Sequence, residues 1–187
     1  MARETVGFIR MADGTAEDYA LLGAAQAVER AKVADNLLAL LRGLRGHNPG
    51  YRIDRYQHSL QTATRALRDG ADEEMVCAAL FHDLGDLHCP DNHSAFAAAI
   101  LRPYVSDETH WIVAHHGLFQ GYYYFHHVGG DRDARDRFRD HPLYGRTVDF
   151  CARWDQCSFD PDYETLDLDA FEPMVRRIFA RKPREFV

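Results

Sequence analysis

A histidine and an aspartate stand side by side at His82-Asp83, near the end of an apolar run that covers residues 75–84. Neighbouring side chains on a helix point about 100° apart. A metal ion between them can therefore take an imidazole nitrogen from one and a carboxylate oxygen from the other. The second oxygen of Asp83 can bridge to another metal ion. Since such pairs also occur by chance, this one becomes informative only through the residues that accompany it.

Further imidazoles and one carboxylate lie in or beside apolar segments on both sides of this pair. His58 precedes it in a segment with helical spacing, and His93, the pair His115-His116 and Asp155 follow it. Nitrogen and carboxylate ligands without thiolates favour Fe, Mn or Zn over calcium or a soft-metal site. Six such ligands with one bridging carboxylate suffice for two metal ions. Two-metal sites perform hydrolysis or, with iron, oxygen chemistry.

Two positions of this ligand set have competitors nearby in the sequence. His88 competes with His93, and we favour His93 because it begins the apolar segment 93–104. Of His115 and His116, one is expected to bind metal, since neighbours on a helix face different directions.

The order H…HD…H…H…D resembles the HD-domain superfamily in its two-metal form, over roughly residues 51–160. The segments HSLQ at 58–61, AALFHDLG at 78–85, AAILR at 98–102 and RWD at 153–155 carry the closer resemblance. They are similar to the HD-domain mixed-valent diiron oxygenases. That group includes phosphonate-cleaving oxygenases and, more distantly, inositol oxygenase.

This resemblance implies a role for each candidate. His82 and Asp83 form the catalytic centre, and Asp83 bridges two iron ions whose remaining ligands are His58, His82, His93, His116 and Asp155. His116 is preferred because its distance from His93 fits the family better, and His115 is expected to orient a ligand through its ring N–H. The mixed-valent pair uses O2 to oxidise and cleave a C–P or C–C bond of a small hydroxylated substrate.

Departures from the phosphonate oxygenases bear on the substrate. Asp86 stands where that group has a substrate-contacting His, and Gln120 stands where it has a Lys. A carboxylate there would repel a phosphonate dianion by several kcal/mol, on the order expected at low effective dielectric. An amine-bearing or cationic alcohol, with Asp86 as counter-ion and Tyr123 in an aromatic wall, is the alternative substrate. Arg153 is a further candidate substrate contact.

The same ligand order also occurs in HD-type phosphohydrolases, which act on a nucleotide or another phosphate ester with Mn, Mg or Zn. Such enzymes need cations for the phosphates, often a Lys just after the His-Asp pair, where this chain has Leu84, Gly85 and Asp86. Arg132, Arg135 or Arg153 can compensate. A third hypothesis is an HD protein that binds metal without catalysis.

Helical spacing around these residues predicts an all-α bundle of about seven to eight helices with metals in its centre. The resemblance implies that it is an HD-domain bundle with a central dinuclear metal site. Helices are expected over 16–44 (one or two), 54–69, 72–84, 93–104, 106–116, 142–155 and 169–181. A short strand is expected over 6–11. The loop over 43–50, just before the first ligand helix, is a candidate lid.

Length and charge bound the function. The 187 residues predict one domain, 1–187, with a metal-binding core at about 51–160. A net charge of −7 argues against a nucleic-acid partner. The absence of an apolar signal segment or long apolar run predicts a cytoplasmic protein that does not bind membranes and keeps its cysteines reduced. The expected partners are a small-molecule substrate and O2, and the oligomeric state is open.

Overall fold

A computed structural model describes residues 5–184 of the chain. Within these residues the regular structure is entirely helical, which confirms the predicted all-α class. The eight α-helices are α1 (Ala16–Ala31), α2 (Val33–Arg42), α3 (Arg55–Arg68), α4 (Glu73–Phe81), α5 (His93–Leu101), α6 (Asp107–Gln120), α7 (Tyr144–Phe150) and α8 (Glu172–Phe179). Short 3-10 segments lie between several of them, and a π-helical turn, Cys151–Asp155, continues α7.

Polar side chains fix the starts of four helices. Thr15 and Asp18 form a reciprocal capping box at the start of α1. Asp54, Asp72 and Ser106 accept a hydrogen bond from the backbone N–H three residues further on, at the starts of α3, α4 and α6. Each cap satisfies an N–H group that has no partner within its helix. The predicted starts at these positions are confirmed.

The core is centred on α4, whose residues 75–81 are all buried. Helix α3 packs along one side of α4, α8 packs on another side, and α6 also contacts it. A helix surrounded in this way needs no polar face, which explains the uninterrupted apolar run in the sequence. The core therefore holds the residues before and after the His82-Asp83 pair rigidly.

Three local predictions need correction. Helix α4 ends at Phe81, so His82 and Asp83 lie in a tight turn after the helix, in which the Leu84 N–H donates to the Phe81 carbonyl at 3.2 Å. The chain turns here because α5 crosses closely: a Cβ on Gly85 would lie 2.5 Å from the His93 Cα. Helix α6 continues past residue 116 to 120. The predicted strand at 6–11 does not form, since the described residues supply no neighbouring strand to pair with it.

Across residues 5–184, no helix combines the length and apolar character needed to cross a membrane.

Candidate metal centre

Six side chains from five segments converge in the middle of the bundle. They are His58 from α3, His82 and Asp83 from the turn after α4, His93 from the start of α5, His116 from α6 and Asp155 from the π-helical turn. All of them are buried except His93, whose side chain is 26% exposed. Imidazoles and carboxylates at this depth are stable only when they bind one another or a metal ion.

One group of ligand atoms surrounds a space of the size of a metal ion. His58 Nε2 lies 3.2 Å from Asp83 Oδ2 and 3.4 Å from Asp155 Oδ1. His82 Nε2 lies 3.3 Å and 3.6 Å from the same two oxygens. Metal bonds of about 2.1 Å place neighbouring ligand atoms roughly 3.0–3.4 Å apart. The four atoms are therefore spaced nearly as ligands of one ion would be.

The other carboxylate oxygen of Asp83 faces a second group. Asp83 Oδ1 lies 3.0 Å from His116 Nε2 and 3.6 Å from His93 Nε2. Asp86 is adjacent, with Oδ1 3.5 Å from His93 Nδ1. Asp83 thus presents one oxygen to each group, which is the arrangement that a bridging carboxylate requires.

The ring orientation of all four histidines is fixed by the backbone. Each Nδ1 lies within hydrogen-bond distance of a carbonyl oxygen: His58 with Ser158 (2.9 Å), His82 with Ala79 (2.8 Å), His93 with Pro90 (2.9 Å) and His116 with Val113 (2.7 Å). A carbonyl can only accept, so Nδ1 must carry the proton and donate it. This leaves each Nε2 able to bind a metal, and such bonds are typical of metal-binding histidines.

Without a metal, protons hold the cluster together. Burial disfavours the charged form of His82, but Asp83 and Asp155 outweigh it and raise the pKa of His82 to about 10. Burial likewise opposes the charged form of His58, whose pKa is raised by Asp155 and Asp83. Burial opposes ionisation of Asp83 too, yet His82 and Arg55 hold its pKa well below the usual range. A divalent cation would compete with these imidazole protons for the same oxygens and nitrogens.

An unpartnered carboxylate oxygen in the cluster is a further feature that fits a bound metal ion. Among the described residues, Asp155 Oδ2 is buried and has no hydrogen-bond partner. A buried carboxylate oxygen without a partner is costly. Coordination of a metal ion by both oxygens of Asp155 would remove that cost. Oδ1 already lies toward His58 and His82, and it accepts a hydrogen bond from Gln120 at 3.2 Å. The cluster could therefore hold divalent metal.

A cavity of about 630 Å³ opens onto the second group. Asp83, His93, His116 and Asp155 line this cavity, whereas His58 and His82 do not. The remaining lining residues are His47, Pro49, Tyr51, Arg55, Asp86, Leu87, Pro90, Gly117, Gln120, Tyr123, Tyr124, Gln156 and Phe159. This volume is within the usual range of small-molecule sites.

Three of the predicted substrate contacts, Asp86, Gln120 and Tyr123, line this cavity, and Arg153 does not. Arg153 pairs with Asp69 at 2.8 Å, and its side chain is 54% exposed. The reason is helical phase: a residue two positions from Asp155 points to the opposite side of a helix. The structure therefore does not bring Arg153 to the cavity with the other three predicted substrate contacts.

His115 is likewise turned away from the cluster. Its Nδ1 donates to the Trp111 carbonyl at 2.7 Å, and its ring stacks on the Trp111 ring at 3.9 Å. It contributes to an aromatic cluster with Phe138 instead of orienting a metal-binding residue. The alternative third ligand, His88, lies beside Phe96 and outside the cavity lining.

One charged residue of the site was missed from the sequence. Arg55 is buried and lines the cavity, and its guanidinium donates to Asp83 Oδ2 at 2.5 Å and also pairs with Asp86. Despite burial, these two carboxylates raise the pKa of Arg55. A basic residue in the first turn of α3 is unfavourable with respect to the helix dipole. In the sequence, this unfavourable position is the one feature that could have indicated that Arg55 has acidic partners elsewhere in the fold.

Comparison with known proteins places the chain in a family. No curated protein gives a significant match. The family model described as HD domain matches residues 55–153, which is more than half of the chain and begins at the buried Arg55. Five of the six clustered side chains fall inside the matched range, and Asp155 follows it by two positions. The chain therefore belongs to the HD domain family of metal-dependent hydrolases and oxygenases.

Proposed function

We propose that this protein is a non-haem diiron oxygenase that oxidises a small hydroxylated substrate and cleaves its C–P or C–C bond. The supporting observation is the unequal division of the six ligands. Four ligand atoms, from His58, His82, Asp83 and Asp155, form a group largely shielded from the cavity. The second group consists of His93, His116 and Asp83, and it faces the cavity. Two histidines and one carboxylate with open positions also form the ligand set with which mononuclear non-haem Fe(II) oxygenases hold their iron.

When bound, a mixed-valent pair of iron ions would supply O2 activation and removal of hydrogen from a substrate carbon. The chain's own residues prepare the site for this chemistry. Backbone carbonyls fix the four imidazole rings, and Asp83 links the two groups through its two oxygens. Gln120 holds Asp155 from the cavity side. Such supporting contacts set ligand geometry and basicity.

The substrate does not need to be a cation. Asp86 was expected to act as the counter-ion of a substrate amine, but Arg55 already neutralises it within the protein. Burial and the nearby Asp83 raise the pKa of Asp86, while Arg55 and His93 act in the opposite direction. The proposal therefore rests on a substrate hydroxyl beside His93 and His116, and it does not require the ammonium group of the alternative substrate.

The position of Arg55 favours a second candidate function, that of a metal-dependent phosphohydrolase. The sequence offered no cation directly after the His-Asp pair, but Arg55 supplies one to the cavity from α3. Its Nε is buried without a hydrogen-bond partner among the described residues. A guanidinium with a free N–H can bind a phosphate oxygen. In that case Mn, Mg or Zn would replace iron and activate a water molecule.

The experiment that separates these functions begins with metal content. The protein is produced in iron-supplemented medium, its bound metals are measured by mass spectrometry, and the partly oxidised protein is examined by electron paramagnetic resonance. We expect two irons per chain and the signal of a spin-coupled Fe(II)/Fe(III) pair. Two non-iron metals together with hydrolysis of nucleotides, and no substrate-dependent O2 uptake, would establish the hydrolase instead.

Adjacent histidines provide a matched control for the site. His116→Ala removes a proposed ligand, whereas His115→Ala makes the same change one position away, in the aromatic cluster. We expect His116→Ala to lose the second metal and His115→Ala to keep both. Equal metal loss in the two variants would show that the effect comes from disturbance of α6.

A further inference from the structure

The cavity has a charged floor and an apolar mouth. Its charged lining residues are buried or half-buried, with Arg55, Asp83 and Asp155 at most 8% exposed. The exposed lining residues are all apolar or aromatic. They are Pro49, Tyr51, Leu87, Pro90 and Tyr124. Tyr51, Leu87 and Tyr124 are 48%, 42% and 47% exposed. Single exposed apolar residues are ordinary on a protein surface, so the informative feature is that five of them line one cavity.

These apolar residues come from separate parts of the chain. Tyr51 belongs to the loop before α3, Leu87 to the turn after Asp83, and Tyr124 to the 3-10 segments after α6. Single exposed apolar side chains are common, but a group gathered at the entrance of a cavity indicates a binding surface. Because three separate segments contribute, the local sequence of one loop cannot account for the apolar mouth.

An aromatic wall connects the mouth with the metal centre. The Tyr51 ring stacks on Phe159 with centroids 4.6 Å apart, and Phe159 stacks on the ring of His58 at 4.4 Å. Apolar surface therefore extends from solvent to a proposed metal ligand along one side of the cavity. The polar groups Arg55, Gln120 and Asp86 are available only deeper in.

We propose that the substrate carries an apolar or aromatic extension opposite its metal-binding hydroxyl, and that this extension lies against Tyr51, Leu87 and Tyr124. The inference rests on the proposed function, because it assumes that the polar end of the substrate reaches the metal centre. A cavity of about 630 Å³ has room for both parts. Burial of the extension would cover apolar surface of the protein and of the substrate together.

The test uses straight-chain 2-hydroxy acids from glycolate to 2-hydroxyoctanoate. Their hydroxyl and carboxylate groups provide a constant metal-binding end, and only the alkyl chain varies. Binding to the two-metal protein is measured by calorimetry without O2, so that no turnover occurs. We expect affinity to rise by roughly two- to fourfold for each methylene group that reaches the mouth, since a fully buried methylene contributes about fourfold.

Substitutions at the mouth provide the second arm. Leu87→Ser and Tyr124→Ser should fold normally, because both side chains are far from full burial. They should reduce the chain-length dependence, whereas glycolate has no alkyl chain that reaches the mouth and should lose no affinity. Val128→Ser is the matched control, since Val128 is 72% exposed and does not line the cavity. It should bind the whole series as the unchanged protein does.

The possible failures are distinguishable. Glycolate binding with no gain from longer chains, or a gain that survives both mouth substitutions, would overturn this inference and leave the proposed function standing. Failure of every acid to bind the two-metal protein would contradict both. An equal loss in the Val128→Ser control would show that the effect does not come from the mouth.

Discussion

Gly117→Ala should remove the second metal ion while leaving the first in place. Gly117 follows His116 in α6 and faces the start of α5. A Cβ at this position would lie 2.6 Å from Ser94 Oγ and 3.1 Å from His93 Nε2. An ordinary contact begins at 3.4 Å, so the overlaps are about 0.8 Å and 0.3 Å. Metal bonds tolerate about 0.2 Å of displacement, so a shift of about 0.3 Å at His93 Nε2 is expected to weaken its bond to the second metal ion.

The overlaps set the expected losses of stability and of metal affinity. Overpacking of this kind costs about 1–3 kcal/mol in stability, and displacement of a ligand's surroundings weakens metal affinity about 10- to 100-fold. We expect metal content to fall from two ions to one, with His58, His82 and Asp155 retaining theirs. The assay combines anaerobic titration with Fe(II) and metal analysis after gel filtration. Urea unfolding of the metal-free protein measures the stability cost separately.

Two further variants make the Gly117 result interpretable. Gly145→Ala introduces the same methyl group at an exposed helical position where a Cβ meets nothing within 4 Å, and it should keep both metals. Gly117→Ala combined with Ser94→Gly removes the larger overlap but keeps the contact with His93 Nε2, so the second metal should bind only partly. Two metals bound at unchanged affinity in Gly117→Ala alone would refute the proposed position of His93.

Three other outcomes are expected. Asp83→Asn should lose both metals in metal analysis, because each group depends on one of its two oxygens; one ion bound at unchanged affinity would contradict a bridging role. Arg55→Met should lower the free energy of unfolding of the metal-free protein by about 3 kcal/mol, because it leaves Asp83 and Asp86 without their cation. Urea titrations measure this value. An unchanged free energy of unfolding would show that solvent already screens these ion pairs. The stability of the metal-free protein should also fall with rising pH. Burial opposes the charge on His82, but Asp83 and Asp155 raise its pKa from 6.5 to about 10. The folded state therefore keeps a proton that the unfolded state releases, and this contribution is complete below pH 6.5 and lost by about pH 10. Urea unfolding across this range should show the decline, and His82→Gln should flatten it.

Local patterns in the sequence were sufficient for the fold class and the family. Helical apolar spacing predicted the helices, and the structure shows that capping side chains at Thr15, Asp54, Asp72 and Ser106 fix four of their starts. The resemblance around the His-Asp pair led to the HD domain family, which the family match confirmed. Helix positions and the family motif can be predicted from the sequence because both depend on residues close together along the chain.

Tertiary structure decided which charged residues share the site. Arg55 reaches Asp83 from another helix, and that contact depends on how α3 packs on α4. The choice between His115 and His116 depends on the rotation of α6, which sequence spacing leaves undetermined because both neighbours are polar. The apolar mouth depends on three loops meeting in space. The residue types that can bind metal were thus readable in sequence, whereas their charge partners and the substrate-facing surface arise from contacts between distant segments.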